Sequence, residues 1–172
     1  LLRQTTARLP WLLIGMIGGI GNSMILGNFD STFAAHPEMA LYIPLIGGTG
    51  GNVGTQSSAI IVQGLANSSL DAKNTFKQIT KESVVALINA TIISLLVYTY
   101  NFIRFGATAT VTYSVSISLF AVVMFASIFG TLVPMTLEKF KIDPAIATGP
   151  FIAITNDIIG MMLYMGITVL LS

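Results

Sequence analysis

The sequence predicts an all-α membrane protein with five transmembrane helices, and three observations predict it. Hydrophobic residues make up 53% of the 172 residues and charged residues only 9%, whereas a soluble domain carries about 25% charged residues to cover its surface. The apolar residues form long segments, and the basic residues lie between alternate pairs of those segments. Cysteine is absent, which excludes a disulfide framework and a thiolate metal site.

Five segments are long enough to cross a bilayer, which takes about 20 apolar residues at roughly 1.5 Å per residue. They cover approximately residues 10–29, 39–65, 84–103, 112–137 and 145–171. Residues 1–9 form a short N-terminal segment, and the polar stretch 69–82, "SLDAKNTFKQITKE", predicts a short helix or a helical extension outside the membrane. Because the chain begins at Leu1 without an initiator methionine or a leader, we expect the C-terminal part of a longer protein or a shortened form of it.

The basic residues predict the orientation. Only Arg104 lies on the side of the first loop, the third loop and the C-terminus. The other basic residues lie in the N-terminal segment and in the second and fourth loops: Arg3, Arg8, Lys73, Lys77, Lys81, Lys139 and Lys141. The positive-inside rule then predicts a multi-pass protein of the cell membrane with a cytoplasmic N-terminus and an extracytoplasmic C-terminus.

Asp157 is the acid that lies deepest in a predicted span. The other acids fall in loops or at span ends: Asp30, Glu38, Asp71, Glu82, Glu138 and Asp143. Asp157 is about 12 residues, or roughly 18 Å, into the fifth span. Such a position costs about 2.5–3.5 kcal/mol on insertion scales and by default marks an ion or proton route. The small residues Ala153 and Gly160 share its helical face and favour a hydrated site. The alternative is a protonated or hydrogen-bonded structural aspartate, with Asn22, Asn89 or Thr91 as partner.

The second span contains a glycine-rich stretch, "IPLIGGTGGNVGTQSSAIIVQG". One helical face carries Gly48, Gly51, Thr55 and Ala59, with Asn52 at its edge. This face exposes backbone carbonyls and small polar groups, and irregular backbone at such depth is tolerated only where it is buried in protein or lines water.

Two interpretations of this stretch stay open. The polar run "NVGTQSS" favours a pore lining, whereas Gly47/Gly51 and Gly50/Gly54 fit close helix packing. A phosphate-binding loop is excluded because no GK[ST] follows the glycines. The first span has a similar face, for which packing is the favoured interpretation, in Gly15, Gly18, Gly19 and Asn22.

A carboxylate beside a carbonyl-rich wall is a hard-oxygen site, which suits magnesium or calcium. The single histidine, His36, lies in an extracytoplasmic loop and is expected to be solvated.

An intramembrane enzyme is disfavoured, because aspartyl proteolysis needs two carboxylates in one site and the predicted spans hold neither a second acid nor a histidine. The expected surroundings are a lipid bilayer, and no nucleic acid partner is expected.

Three stretches carry a family resemblance: "RLPWLL", "PLIGGTGGNVGTQS" and "IDPAIATGPFIAITNDIIG". With them the sequence resembles the transmembrane domain of the MgtE magnesium channel/transporter family over essentially all 172 residues. The resemblance implies a homodimer of five-helix subunits with an ion path at the two-fold axis, and Mg²⁺ as both transported ion and ligand. It implies Asp157 as the main magnesium-binding side chain, helped by the carbonyl of Ala153. The implied path lining is the face of Gly48, Gly51, Asn52 and Thr55.

The resemblance also marks differences. Some relatives carry a polar side chain eight residues before the aspartate, where this chain has Gly149, and the cytosolic regulatory and CBS domains usual in the family do not appear within residues 1–172. The expected function is import of largely hydrated Mg²⁺ down its electrochemical gradient. One rival is a proton- or sodium-coupled divalent cation exchanger in which Asp157 changes its protonation state. Another is a membrane scaffold without transport.

Overall fold

The computed structural model describes residues 1–145 and 149–172, and every regular element within those ranges is helical. The α-helices are α1 (Leu2–Gly27), α2 (Asp30–Ala35), α3 (Ile43–Ala66), α4 (Thr75–Phe105), α5 (Thr110–Lys139) and α6 (Pro150–Leu171). Short 3-10 helices cover Pro37–Tyr42 and Ala72–Asn74. The predicted all-α class is therefore confirmed.

Four helices of the described ranges are long and apolar enough to cross a membrane, namely α1, α4, α5 and residues Phe151–Leu171 of α6. This confirms the prediction of a membrane protein. Helix α3 corresponds to the predicted second span and is long enough, at 24 residues. Its glycine-rich and polar composition gives it too low a mean hydropathy to be counted with these four helices. The fifth span stays a prediction.

The helix ends differ from the predicted span ends. Helix α1 begins at Leu2, so most of the N-terminal segment 1–9 is helical. The stretch 69–82 contains a 3-10 helix and then the first turns of α4, which matches the helical-extension alternative. Gly149 directly precedes α6. Residues 146–148, which belong to the predicted fifth span and to the third family stretch, lie outside the described residues.

Helix α5 is the centre of the bundle. It packs against α3, α4 and α6, and it contributes the buried side chains of Val115, Leu119 and Val122. Helix α1 packs on α6 and has no buried residue. The outer surfaces of α1 and α4 expose leucine, isoleucine and valine side chains, as expected for helices that face lipid.

Two tyrosines fix the start of α3. The Tyr164 hydroxyl donates a hydrogen bond to the carbonyl of Met39 at 2.7 Å, and the Tyr42 hydroxyl donates to Oδ1 of Asn101. These bonds tie the 3-10 helix before α3 to α6 and α4. Since α3 follows directly, its position against α6 is set at this end of the bundle.

Helix α3 is one continuous α-helix through its glycine cluster. This corrects the expectation of an irregular backbone in the second span. Glycine is tolerated here because close neighbours cover one face: a Cβ at Gly50 would lie 2.9 Å from Cγ1 of Val122, and a Cβ at Gly130 of α5 would lie 2.6 Å from the carbonyl oxygen of Gly54. The packing energy gained at such contacts offsets the low helix propensity of glycine.

Candidate cation site

Asp157 lies on α6, seven residues after its first residue, Pro150, which is roughly 10 Å along the helix axis. Its side chain is half-buried. Of the two small residues that were expected to leave room beside it, Ala153 is half-buried. Gly160 is buried, and a Cβ there would make ordinary contacts with Val122 and Ile46. Gly160 therefore serves packing, and the space beside the carboxylate comes from other helices.

Glycines of two neighbouring helices surround the carboxylate. On α3, a Cβ at Gly47 would lie 3.1 Å from Oδ1 of Asp157, so glycine lets this helix approach the carboxylate closely. On the side of α1, Asp157 and Ile154 of α6 line a cavity of about 60 Å³. The other lining residues belong to α1 and are Gly15, Gly18, Gly19 and Asn22. A cavity of this size is large enough for water, given polar groups to bind it.

Asp157 makes no hydrogen bond or ion pair with any residue in the described ranges. Asn22 lines the same cavity, yet its Oδ1 atom is buried without a hydrogen-bond partner there. Thr91 donates to the carbonyl of Leu87 instead, and Asn89 is exposed on α4. None of the three suggested partners of a structural aspartate bonds to it, which favours the hydrated site.

The predicted lining residues of α3 lie on its uncovered side, whereas Gly47 approaches Asp157. A Cβ at Gly48 or Gly51 would meet no atom within 4 Å. The side chains of Asn52 and Thr55 are exposed. The Thr55 hydroxyl donates to the carbonyl of Gly51 at 2.7 Å. These residues form a small, polar face that the described chain leaves uncovered, and the structure does not bring them onto Asp157.

Asn156, the neighbour of Asp157, was not among the predicted site residues. Its side chain is only 1% exposed, and its amide nitrogen packs where a Cβ of Gly54 would stand. Neither amide atom finds a hydrogen-bond partner within the described ranges. Asn156 therefore sits in a notch of α3 and sets the distance between α3 and α6, and hence the position of Asp157.

Sequence reasoning also assigned the α1 glycines to packing alone. The structure confirms packing at Gly18, where Ile154 occupies the position of a Cβ, but Gly15 and Gly19 meet nothing within 4 Å. The available signal was Asn22 on the same face, since a polar amide is more than a packing face requires. The single histidine, His36, lies between α2 and the 3-10 helix Pro37–Tyr42. Its Nδ1 atom is 4.0 Å from Oε1 of Glu38.

The described part of one chain would supply at most part of a metal site. The described residues contain no group of three or more His, Cys, Asp or Glu side chains that could hold a metal ion, so Asp157 contributes a single negative charge. The remaining oxygens near it are neutral, from Asn22 and the backbone. Oxygen ligands of this kind suit a hydrated hard cation, but one carboxylate does not neutralise a divalent charge.

The MgtE family profile, described as a divalent cation transporter, matches residues 43–167 of this chain. The chain belongs to the MgtE family. The matched range includes both α3 and Asp157. Among curated relatives, the magnesium transporter MgtE of Bacillus subtilis is 32% identical over 160 residues, covering 93% of this chain and 35% of the relative.

Two further MgtE relatives match nearly the same part of the chain. The magnesium transporter MgtE of Thermus thermophilus is 32% identical over 165 residues, covering 96% of this chain and 36% of the relative. That of Enterococcus faecalis is 29% identical over 169 residues, with 96% and 36% covered. The chain thus spans about a third of the length of the MgtE proteins it matches.

Proposed function

We propose that this chain is the ion-conducting part of a magnesium transporter that carries largely hydrated Mg²⁺ down its electrochemical gradient. The observation that carries the proposal is Asp157, a membrane-depth carboxylate without a partner in the described chain, between glycines of α1 and α3. An intramembrane acid that the protein does not neutralise is expected to meet a mobile cation or proton. The names of the curated relatives favour Mg²⁺ as that cation.

We infer five membrane spans, with α3 as the second. Its 24 residues measure about 36 Å as an α-helix, against a hydrocarbon core of about 30 Å. Its low hydropathy fits a span that contacts protein rather than lipid, because α5 and α6 cover one of its faces. Ile46 near its start and Ile61 near its end are both buried, and α3 packs on α5 and α6, so it lies alongside two of the other spans.

We infer that two copies form a homodimer around the path. The uncovered face of α3 carries Gly48, Gly51, Asn52 and Thr55, and Gln56 and Gln63 are exposed on the same helix. Polar groups at membrane depth are stable against protein or water but not against hydrocarbon. A second copy would cover this face, and the water-filled path would run between the two copies.

Pairing two Asp157 carboxylates gives the charge that a dication requires. At about 5 Å and an effective dielectric constant near 20, each carboxylate attracts a divalent ion by about 7 kcal/mol before desolvation and a monovalent ion by half of that. Magnesium gives up its first-shell water reluctantly, so the contacts run through water, with the Ala153 carbonyl as a further acceptor. A weak water-mediated grip of this kind lets the ion leave again.

The membrane potential supplies the direction of transport. With the basic ends of α1, α4 and α5 in the cytoplasm, the potential favours inward movement by about 2.3 kcal/mol per charge per 100 mV. This orientation places the N-terminus inside a cell membrane and the C-terminus outside. The protein acts as a transporter rather than as an enzyme.

The test is Mg²⁺ uptake into proteoliposomes under an imposed potassium diffusion potential. Asp157→Asn removes the charge and keeps the size, and we expect uptake to fall more than tenfold with unchanged thermal unfolding. Asp30→Asn is the matched control, since Asp30 is an exposed acid at the start of α2, and it should leave uptake unchanged. Normal uptake by Asp157→Asn would refute the site.

The same vesicles separate the proposal from its main rival. Uptake that follows the voltage and ignores pH and sodium gradients supports a channel-like path. Uptake that requires a proton or sodium gradient would instead make Asp157 the coupling group of an exchanger. Absence of uptake by the unmodified chain in vesicles that retain folded protein would leave only a scaffold.

A further inference from the structure

Five lysines gather around two adjoining recesses at one end of the bundle, and Asp157 lines neither recess. The first recess, of about 250 Å³, lies between the start of α4 and the end of α5 and is lined by Lys77, Lys81 and Met135 among others. The second, of about 550 Å³, is lined by Lys73, Lys139 and Lys141. Leu70 and Asp71 line both, so the recesses form one continuous concave surface.

The lysine charges exceed the acidic charges on this surface. Asp71 and Glu138 are the acids among its lining residues, which leaves a net charge of +3 from five lysines and two acids. None of the five ammonium groups makes an ion pair or hydrogen bond with a residue in the described ranges. Asp71 uses Oδ1 to accept a hydrogen bond from the backbone nitrogen of Lys73. The anion that these lysines would bind must therefore come from outside the chain.

The surface is built on ordered backbone. Leu70 packs against Gly64, and its backbone nitrogen donates to the Gly64 carbonyl at 3.0 Å. At the end of α5, Lys141 adopts a left-handed conformation with φ of 60°, and the nitrogen of Ile142 bonds back to the Leu137 carbonyl at 2.9 Å. Glycine is the residue usually favoured at such a helix end. Here the position holds a lysine whose side chain lines the recess.

Two exposed aromatic residues flank the lysines. Phe76, beside Lys77, is 86% exposed, and Phe140, between Lys139 and Lys141, is 71% exposed. Exposed phenylalanines are unfavourable in water, but they suit the acyl boundary of a membrane surface where lysine side chains extend to the headgroups. Leu65, Leu70 and Met135 give the recesses an apolar lining that a free inorganic ion would not use.

We propose that this surface binds the headgroup of an anionic phospholipid, with its phosphate among the lysines and its acyl chains beside Phe76 and Phe140. Basic recesses between membrane helices recognise such headgroups by charge. The proposal goes beyond ion transport, and it requires only that this end of α4 and α5 lies at a membrane surface.

The experiment measures lipid binding by native mass spectrometry of the purified, delipidated chain in neutral detergent. Phosphatidylglycerol is titrated against phosphatidylcholine, and inorganic phosphate is the soluble competitor. Two charge-removing variants, Lys77→Gln/Lys81→Gln and Lys139→Gln/Lys141→Gln, each neutralise one recess. Arg3→Gln/Arg8→Gln is the matched control, because those arginines are exposed at the start of α1 and line neither recess.

We expect phosphatidylglycerol to bind more tightly than phosphatidylcholine. A lysine near an anionic membrane surface contributes about fivefold in affinity, so each double lysine variant should bind phosphatidylglycerol at least tenfold more weakly. Lysine-to-arginine replacements at the same positions should retain binding. Glu138→Gln removes a negative charge from the end of α5 and should strengthen binding, a change that a purely structural role of this helix end would not produce. Thermal unfolding checks that the variants remain folded.

Three results would overturn the proposal: equal affinity for the two lipids, equal loss in the arginine control, or full displacement by inorganic phosphate, which would indicate a site for free anions. Asp157→Asn should bind phosphatidylglycerol like the unmodified chain. The lipid site and the cation site can therefore fail independently.

Discussion

The two glycine faces of α3 differ in what they contact. On one face, Gly50 and Gly54 lie so close to α5 and α6 that an added Cβ would overlap Val122 or Asn156. On the other face, a Cβ at Gly48 or Gly51 would meet nothing within 4 Å. Glycine therefore permits close helix packing on one side of a single helix and only leaves space on the other. The packing interpretation of the glycine stretch therefore holds for the first face, and the pore-lining interpretation stays a prediction for the second.

The largest effect on stability is expected at the packed face, from Gly130→Ala on α5. Its Cβ would stand 2.6 Å from the Gly54 carbonyl oxygen, and a backbone atom cannot move aside without separating the two helices. We expect a loss of about 3 kcal/mol, at the upper end for overpacking, measured by denaturant unfolding in detergent. Gly166→Ala is the control, since a Cβ there meets no atom within 4 Å. Equal stabilities of the two variants would mean that α3 and α5 are not packed this closely.

A smaller loss is expected from Gly54→Ala, because its Cβ would meet the Asn156 side chain, which has some freedom to turn. We expect about 1–2 kcal/mol. Asn156→Ala should recover part of it in the double variant, so that the two changes are not additive. The readout is a double-mutant cycle of unfolding free energies. Strict additivity would show that Asn156 does not occupy the notch at Gly54.

The smallest stability effect is expected at the open face, from Gly51→Ala. The change should lie within about 0.5 kcal/mol or be slightly stabilising, because alanine has the higher helix propensity. If this face lines the proposed path, Mg²⁺ uptake into proteoliposomes should nevertheless fall several-fold, since the added methyl group narrows it. Unchanged uptake would remove Gly51 from the path, and reduced stability would place a contact on this face.

The sequence was sufficient for the helical membrane class, because long apolar segments and a scarcity of charge leave few other stable solutions. It was also sufficient to single out Asp157 as the candidate site, since an acid far from any basic residue in an apolar helix stands out without a structure. It was not sufficient for the neighbours of Asp157. Gly47 and the α1 cavity residues have the same composition as packing residues, and only the helix arrangement separates the two roles.

Periodicity along one helix determined which residues share a face, and so the sequence alone established the glycine faces of α1 and α3. Which face meets which helix was decided by the tertiary structure, because contacts between distant segments depend on side-chain shape at both surfaces. The notch that holds Asn156, the approach of Gly130 to Gly54 and the concave lysine surface all arise from such pairs. Helix periodicity is a local property of the chain, whereas the fit between two helices exists only once they have packed.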